Sequence, residues 1–501
     1  MRLPPSVHNR LTYAGALMVL LASSAGVFLL LFTALAGGDA PYGALIIFLM
    51  LPAIVLLGIV LVPIGMWRER GHLARTGHPS IESFPVLDLN DPRRRFRVVL
   101  AAIAGVALMF ATNFGSFLAY EHTESVAFCG QTCHVTMEPE AVAHRTSPHA
   151  RTGCVACHIG PGSEAFVEAK VNGLRQVYEV LFDKVPRPIP VPIRNLRPAT
   201  ETCQVCHWPE QNYTPQYRRF VHFLSDDANT RWEVHLRLNT SGGGPHVGGA
   251  GGIHAHHSGV NKKIEYVAVD RERDDIPWLR VTDRESGLVT EYLASGASRP
   301  DDAIAHDEAR TMDCIDCHNR PAHRYNEPGD SMDSYMALGK IDPTLPSIKK
   351  VGVELLSAAD YQTTAEASRK ILEGVQAYYR TEHPEVLEKR APAVNAAIHH
   401  LQTIYHRNFF PRMKVRWDTY PDHSAHLITP GCFRCHDGNH KSASGEVVPN
   451  DCRTCHVIVA QGNAGELEHA TDDAGLEFSH PGDVGDAWQG MACTDCHGGA
   501  S

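Results

Sequence analysis

None of the 14 cysteines in this 501-residue chain stands alone. Each belongs to a close pair and each pair is followed at once by a histidine, so no thiol is left over for the disulfide framework of a short secreted domain. A basic surplus is also missing. Against 46 Lys and Arg stand 56 Asp and Glu, a formal net charge of −10, with no basic stripe of the kind that binds nucleic acid. Structural zinc uses cysteine pairs too, but it has no need of a histidine directly after every second cysteine. What remains is the attachment sequence of a c-type haem, in which two thiols add to the porphyrin vinyl groups and the adjacent histidine becomes an axial ligand of the iron.

Seven such sequences are present. The cysteines are Cys129 and Cys133, Cys154 and Cys157, Cys203 and Cys206, Cys314 and Cys317, Cys432 and Cys435, Cys452 and Cys455, and Cys493 and Cys496. Their histidines are His134, His158, His207, His318, His436, His456 and His497. The pattern predicts seven covalently bound haems, with porphyrin filling much of the apolar interior. With 32 Pro and 41 Gly, short helices and loops are expected rather than large sheets. The 30 histidines are ample for second axial ligands as well.

Three stretches, Leu11–Gly38, Tyr42–Trp67 and Val98–Tyr120, are free of charge for long enough to span a bilayer, which takes about 20 apolar residues. Pro52 and Pro63 are expected to kink the second. The first is long for a signal peptide, despite Ala34-Leu35-Ala36, and reads as a retained helix. Arg68, Arg70, Arg75, Arg93, Arg94, Arg95 and Arg97 fall between the second and third spans, whereas Asp39–Pro41 carries no Lys or Arg. The positive-inside bias therefore makes the arginine-rich loop cytoplasmic and sends residues 121–501 to the periplasm, where c-type haem is attached. The expected fold is mainly α with irregular loops: transmembrane helices followed by a periplasmic multihaem domain with a small β-rich insertion. Its parts are residues 1–97 (two spans and the loop), 98–120 (third span), 121–216 (haems 1–3), 217–300 (β-rich insertion), 301–410 (haem 4 and helices) and 411–501 (haems 5–7).

The first attachment sequence departs from the rest. Gly130-Gln131-Thr132 places three residues between its cysteines, so one must bulge, which glycine eases. His134 is then drawn out of alignment and Met137 is a substitute ligand, a thioether that raises the reduction potential. Taken together, FCGQTCHVTMEPE, SPHARTGCVACHIGPG and LRPATETCQVCHWPE resemble the NapC/NirT family of membrane-anchored multihaem cytochromes. Seven attachment sequences make the chain most similar to the heptahaem inner-membrane quinol dehydrogenases of metal-reducing bacteria. The resemblance is strong over residues 98–210 and looser beyond. It implies oxidation of menaquinol at the periplasmic face and electron transfer to periplasmic c-type cytochromes. It also implies Met137 as a ligand of haem 1 and Lys170, about twelve residues past the second attachment sequence, at the quinol. Relatives carry an Asp roughly two turns beyond that Lys, which this chain lacks; Glu179, Gln176 and Glu168 are the stand-ins. The family's minimal anchor is one helix, and two more here are a further departure. Quinol oxidation needs a side chain that hydrogen-bonds the hydroxyl and relays its proton. Segment 163–182 has helical apolar spacing and suits the membrane surface.

Among the remaining histidines, His149 lies five residues before the second attachment sequence and His323 five after His318, and both are candidate distal ligands. Strands are expected at Arg231–Leu238, Ile264–Val269, Pro277–Thr282 and Gly287–Leu293. His256, from His254-Ala255-His256-His257 within them, is the imidazole expected to reach haem 3 or 4. Residues 345–407 read as helical, with a capping box at Thr363–Glu366 and an apolar face through Ile371, Val375 and Tyr378. Their histidines His399, His400 and His406 read as solvated. His426 and His440 are the candidates near haems 5 and 6, where His423 also lies, and His480 near haem 7. Three functions fit: a menaquinol dehydrogenase, a terminal reductase for nitrite, hydroxylamine or a sulfur oxyanion, and a wiring module without a quinol site. A reductase needs an open iron, often marked by Lys in place of the attachment His, and no such Lys occurs.

Overall fold

A computed structural model describes the chain except for residues 1–3, 37–50, 82–88, 133, 161–162, 194–195, 209–211, 213, 243–250, 259–260, 301–308, 359–360, 483, 486 and 499–501. Cys133, the start of the expected second span and most of the glycine turn after Ser241 therefore lie outside the described residues. The chain divides into two compact units, Met1–Thr123 with Ile159–Arg175, and Glu124–His158 with Gln176–Ser501.

The first unit contains three long helices, α1 (Arg10–Ala36), α2 (Leu51–Thr76) and α3 (Pro92–Thr123). Among the described residues α2 is the one helix long and apolar enough to cross a membrane. It packs on α1 with the backbones in contact: a Cβ on Gly15 would stand 2.7 Å from the Gly58 carbonyl oxygen, and one on Gly58 equally close to Gly15. Small residues permit this approach between apolar helices, where dispersion replaces the hydrophobic drive. Arg68, Arg70 and Arg75 ride on the last turns of α2 rather than on a loop, because nothing breaks the helix before Gly77. That residue takes φ +74° and its N–H returns 2.9 Å to the Leu73 carbonyl, a left-handed helix stop. Pro92 then opens α3 while the Asp91 carboxylate accepts the Arg93 N–H at 2.9 Å, so Arg93 to Arg97 also ride on a helix.

In the second unit, α4 (His134–Thr146) follows the first attachment sequence, and α5 (Ser163–Leu181) crosses the boundary between the units. An ordinary core appears only further on, where α6 (Pro328–Ala337), α7 (Ile348–Ser357), α8 (Thr364–Glu382) and α9 (Ala391–Asn408) enclose Met332, Ile348, Ile371, Val375, Leu401 and Ile404. Helix α8 starts where its capping residues place it: Thr363 Oγ1 accepts the Glu366 N–H at 3.1 Å and the Glu366 carboxylate accepts the Gln362 N–H at 2.9 Å. Its buried stripe is Ala367, Ile371, Val375 and Tyr379, with Tyr378 half-buried beside it.

The β structure is more extensive than a local insertion. Strands β1 (Gln216–Phe223) and β2 (Arg231–Leu238) pair with β8 (His456–Asn463) and β9 (Glu468–His469) in one antiparallel sheet. A second sheet has the order β6 (Arg310–Thr311), β3 (Lys262–Val267), β4 (Trp278–Asp283), β5 (Val289–Leu293) and β7 (Lys441–Ser442). Both are completed by C-terminal strands, so residues 217–300 are not a self-contained insertion. Asp333 ties the first sheet to the helical core: its carboxylate accepts the Phe223 N–H at 2.8 Å and the Lys349 ammonium.

Glu233 on β2 is buried between Arg219 at 2.6 Å, Arg231 at 2.9 Å and His235 at 3.0 Å. The Arg219 hydrogen bond above all pulls its pKa from 4.5 down to about 2. A carboxyl held below its unfolded value stabilises the fold above pH 4.5, and that contribution is lost as pH falls through about 2. Glu233→Gln is therefore expected to lower the urea midpoint at neutral pH, with the gap to the parent closing across that window. Ile371→Ala, which empties a fully buried site in α8, is expected to cost about 2–5 kcal/mol in denaturant unfolding followed by far-UV circular dichroism.

Candidate cofactor sites

Each ordinary attachment sequence forms a single helical turn, which brings residue i and residue i+4 to one side. The His207 N–H reaches the Cys203 carbonyl at 2.8 Å and the His318 N–H the Cys314 carbonyl at 2.8 Å. Aspartates start two of these turns: Asp313 accepts the Ile315 N–H at 3.0 Å and Asp451 the Arg453 N–H at 2.7 Å. At the first site the extra residue is absorbed by a π-helical turn over Phe128–Thr132, the single-turn widening often met at functional sites. Gly130 serves close packing there, since a Cβ would stand 2.8 Å from the Ala141 Cβ. Met137 is half-buried on α4, one turn beyond His134, whose side chain is not described.

The six remaining attachment histidines all face a second imidazole. Ring centroids lie 6.0 Å apart for His158 and His323, 5.9 Å for His207 and His149, and 6.4 Å for His318 and His254. They lie 5.7 Å apart for His436 and His257, 6.1 Å for His456 and His426, and 6.3 Å for His497 and His480. Two metal–nitrogen bonds of about 2 Å each, plus the depth of two rings, need a separation of roughly 6 Å.

The structure puts His254 and His257, not His256, beside attachment histidines. The five-residue helix Ile253–His257 sets these two one turn apart while the His256 side chain is exposed. Two sites in want of a partner and three histidines in one short stretch were the signal for a double role. His440 is occupied otherwise: buried, it holds Asp437 at 2.9 Å through Nδ1 and the Ile276 carbonyl at 2.7 Å through Nε2. His423 likewise bonds the Glu272 carbonyl at 3.0 Å. Of the histidines in the helical core, His406 meets Ser368 at 3.0 Å and His400 packs edge-on against Tyr335.

Iron porphyrins fit these residues on several grounds. Every described attachment cysteine is a free thiol. Partial burial lowers the pKa of His254, His426 and His456 and pushes His257 to about 4, holding the rings neutral, the form that ligates metal. From Arg145 to Pro198 no described residue is buried, so these side chains alone make no core. A cavity of about 400 Å³ combines apolar Ile193, Leu196 and Ile315 with Arg271, Arg273 and Arg310, a lining suited to an apolar ring carrying carboxylates.

Successive sites are also neighbours in space. The Cys154 thiol lies near Cys129, and Cys157 near Cys203. Cys203 lies near Cys314, and Cys317 near Cys432. Cys432 lies near Cys455, and Cys452 near Cys493. Each attachment sequence thus has the next one in the chain as a neighbour.

The residues expected at the quinol all sit on α5. At about 100° per residue, positions 170, 174, 177 and 181 share one side, on which Leu174 and Leu181 are 73% and 74% exposed. Position 176 lies a third of a turn away, and Glu179 and Glu168 about half a turn. The Lys170 side chain itself is not described.

Attachment turns facing paired imidazoles in unbroken succession define a multihaem c-type cytochrome, an electron-transfer protein with covalently bound haem. Residues 91–188 match the NapC/NirT cytochrome c family, N-terminal region. The cytochrome c-type protein ImcH of Geobacter sulfurreducens is 42% identical over 489 residues, 98% of this chain and 95% of that protein. The chain belongs to the NapC/NirT family of c-type cytochromes. No solved structure matches it.

Proposed function

We propose that the chain is a heptahaem menaquinol dehydrogenase of the inner (cytoplasmic) membrane. In this reading α1, α2 and α3 are its three spans, the second unit is periplasmic, and periplasmic c-type cytochromes are its acceptors in anaerobic respiration. The observation that carries the reading is the succession of six imidazole pairs along neighbouring attachment thiols. His158 and His323, His207 and His149, His318 and His254, His436 and His257, His456 and His426, and His497 and His480 would each ligate one iron, and α4 offers His134 and Met137 at the first site. Bound there, the haems supply one-electron carriers between a two-electron quinol and one-electron partners. With two imidazoles holding an iron at each of these six sites, no ligand position would be left there for nitrite, hydroxylamine or a sulfur oxyanion.

In this reading Lys170, at a helix position shared with Leu174 and Leu181, would hydrogen-bond a quinol hydroxyl arriving from lipid. Glu179 and Gln176, on other sides of the same helix, would act as stand-ins for the family's Asp in carrying the released proton onward through water rather than at the quinol itself.

Lys170→Ala is expected to slow reduction by a menaquinol analogue roughly tenfold or more while reduction by dithionite stays at the parent rate. An unchanged quinol rate would remove the quinol site and leave a wiring module; turnover of nitrite by the parent protein would favour the reductase. His254→Ala and His257→Ala are each expected to turn one iron high-spin in absorption and electron paramagnetic resonance (EPR) spectra, and His256→Ala to change neither. A high-spin iron in the last variant alone would overturn the pairing.

A further inference from the structure

Among the paired histidines, His323 has a distinctive second contact. Where hydrogen bonds to the far ring nitrogen of its counterparts are resolved, they go to backbone: His149 Nδ1 to the Pro321 carbonyl at 3.2 Å, His257 Nδ1 to the Ile253 carbonyl at 2.8 Å, and His436 Nδ1 to the Pro449 carbonyl at 2.5 Å. His323 Nδ1 donates to the Glu140 carbonyl at 3.2 Å, and the carboxylate oxygen Oε2 of the same residue stands 3.0 Å away. Among the described residues no other paired histidine has a carboxylate oxygen within 4.0 Å of a ring nitrogen.

The surroundings hold this carboxylate in place. Glu140 projects from α4 with 18% of its side chain exposed, and Arg320, only 8% exposed, lies 3.7 Å from the same oxygen. Arg320 is locked in turn, donating to the His323 carbonyl at 2.9 and 2.6 Å and stacking 4.5 Å over Tyr420 and 5.1 Å over Tyr325. The His323 N–H is taken by the Glu140 carbonyl, and the carboxylate stands beside it as a fixed negative charge 3.0 Å from the same ring nitrogen. A negative charge behind a ligand imidazole makes it a stronger donor to the metal and favours ferric over ferrous iron. Arg320 shares the carboxylate and moderates the effect.

We propose that Glu140 is a positioning residue that orients His323 and, through that imidazole, holds down the reduction potential of the second attachment site. The inference rests on the reading of His158 and His323 as that site's axial pair. Glu140 would thereby resist build-up of electrons on the second site.

The test uses the full-length holoprotein in detergent, with a potentiometric titration followed by EPR and visible spectroscopy. Glu140→Gln is expected to retain the parent's haem content and its low-spin irons and to move one component upward by about tenfold in its reduction equilibrium, about 59 mV for one electron. Glu140→Asp, which keeps the charge but draws it back, should move the same component less. If every component stays in place in Glu140→Gln, the proposal is overturned. Loss of haem in both variants overturns it as well, because a residue that only tunes the ligand leaves attachment intact. His323→Ala separates the two levels. One iron turning high-spin supports the axial pair whatever Glu140 does, and an unchanged spectrum removes the pair and the inference built on it.

Discussion

Six attachment histidines each stand opposite a second imidazole brought from elsewhere in the chain. Pairing of imidazoles across a gap of 5.7–6.4 Å is the constraint on which the second unit depends. His323 comes back from beyond the fourth attachment sequence to meet His158, and His257 reaches forward from the β region to His436. Such pairs draw together segments that share few apolar side chains. The conventional hydrophobic core is concentrated in α6 to α9, while no described residue from Arg145 to Pro198 is buried. The polypeptide is arranged to be completed, and its paired imidazoles are the places where completion would occur.

The sheets serve the same end. Because β8 follows His456 directly and pairs with β2, and β7 follows His440 and pairs with β5, the C-terminal attachment sites are anchored on strands that begin far upstream. Neighbouring thiols then run from Cys129 to Cys493 in chain order. That arrangement gives a path with two ends, one beside α4 and the other at the C-terminus, and a path of this kind suits transport of electrons better than catalysis at a single iron.

Much of this was legible in the residues. Attachment sequences announce themselves, since two thiols and a histidine within five positions form one helical turn whatever surrounds it. The start of α8 was readable from Thr363 and Glu366, and the strands near 231–238 and 278–283 from their composition. The second imidazoles were legible only in part. His256 is the central histidine of its cluster, yet the short helix turns its neighbours His254 and His257 toward the sites, and His440 satisfies both ring nitrogens within the protein instead. The β region looked self-contained because strands contributed from residues 441–469 leave no mark on its own sequence. On α5, spacing alone grouped Lys170 with Glu179, whereas the phase of a continuous helix puts them on opposite sides.

The residues by themselves determined what is attached and where, because covalent attachment needs only groups that one helical turn brings together. They also pointed to three apolar stretches, of which α2 is, among the described residues, the one helix long and apolar enough to cross a membrane. The tertiary structure decided which histidine faces which, how the strands are shared between distant segments, and that Glu140 stands behind His323. Those are choices among many loop closures of similar entropy, and they are settled by packing between residues remote in the chain, which no local pattern records.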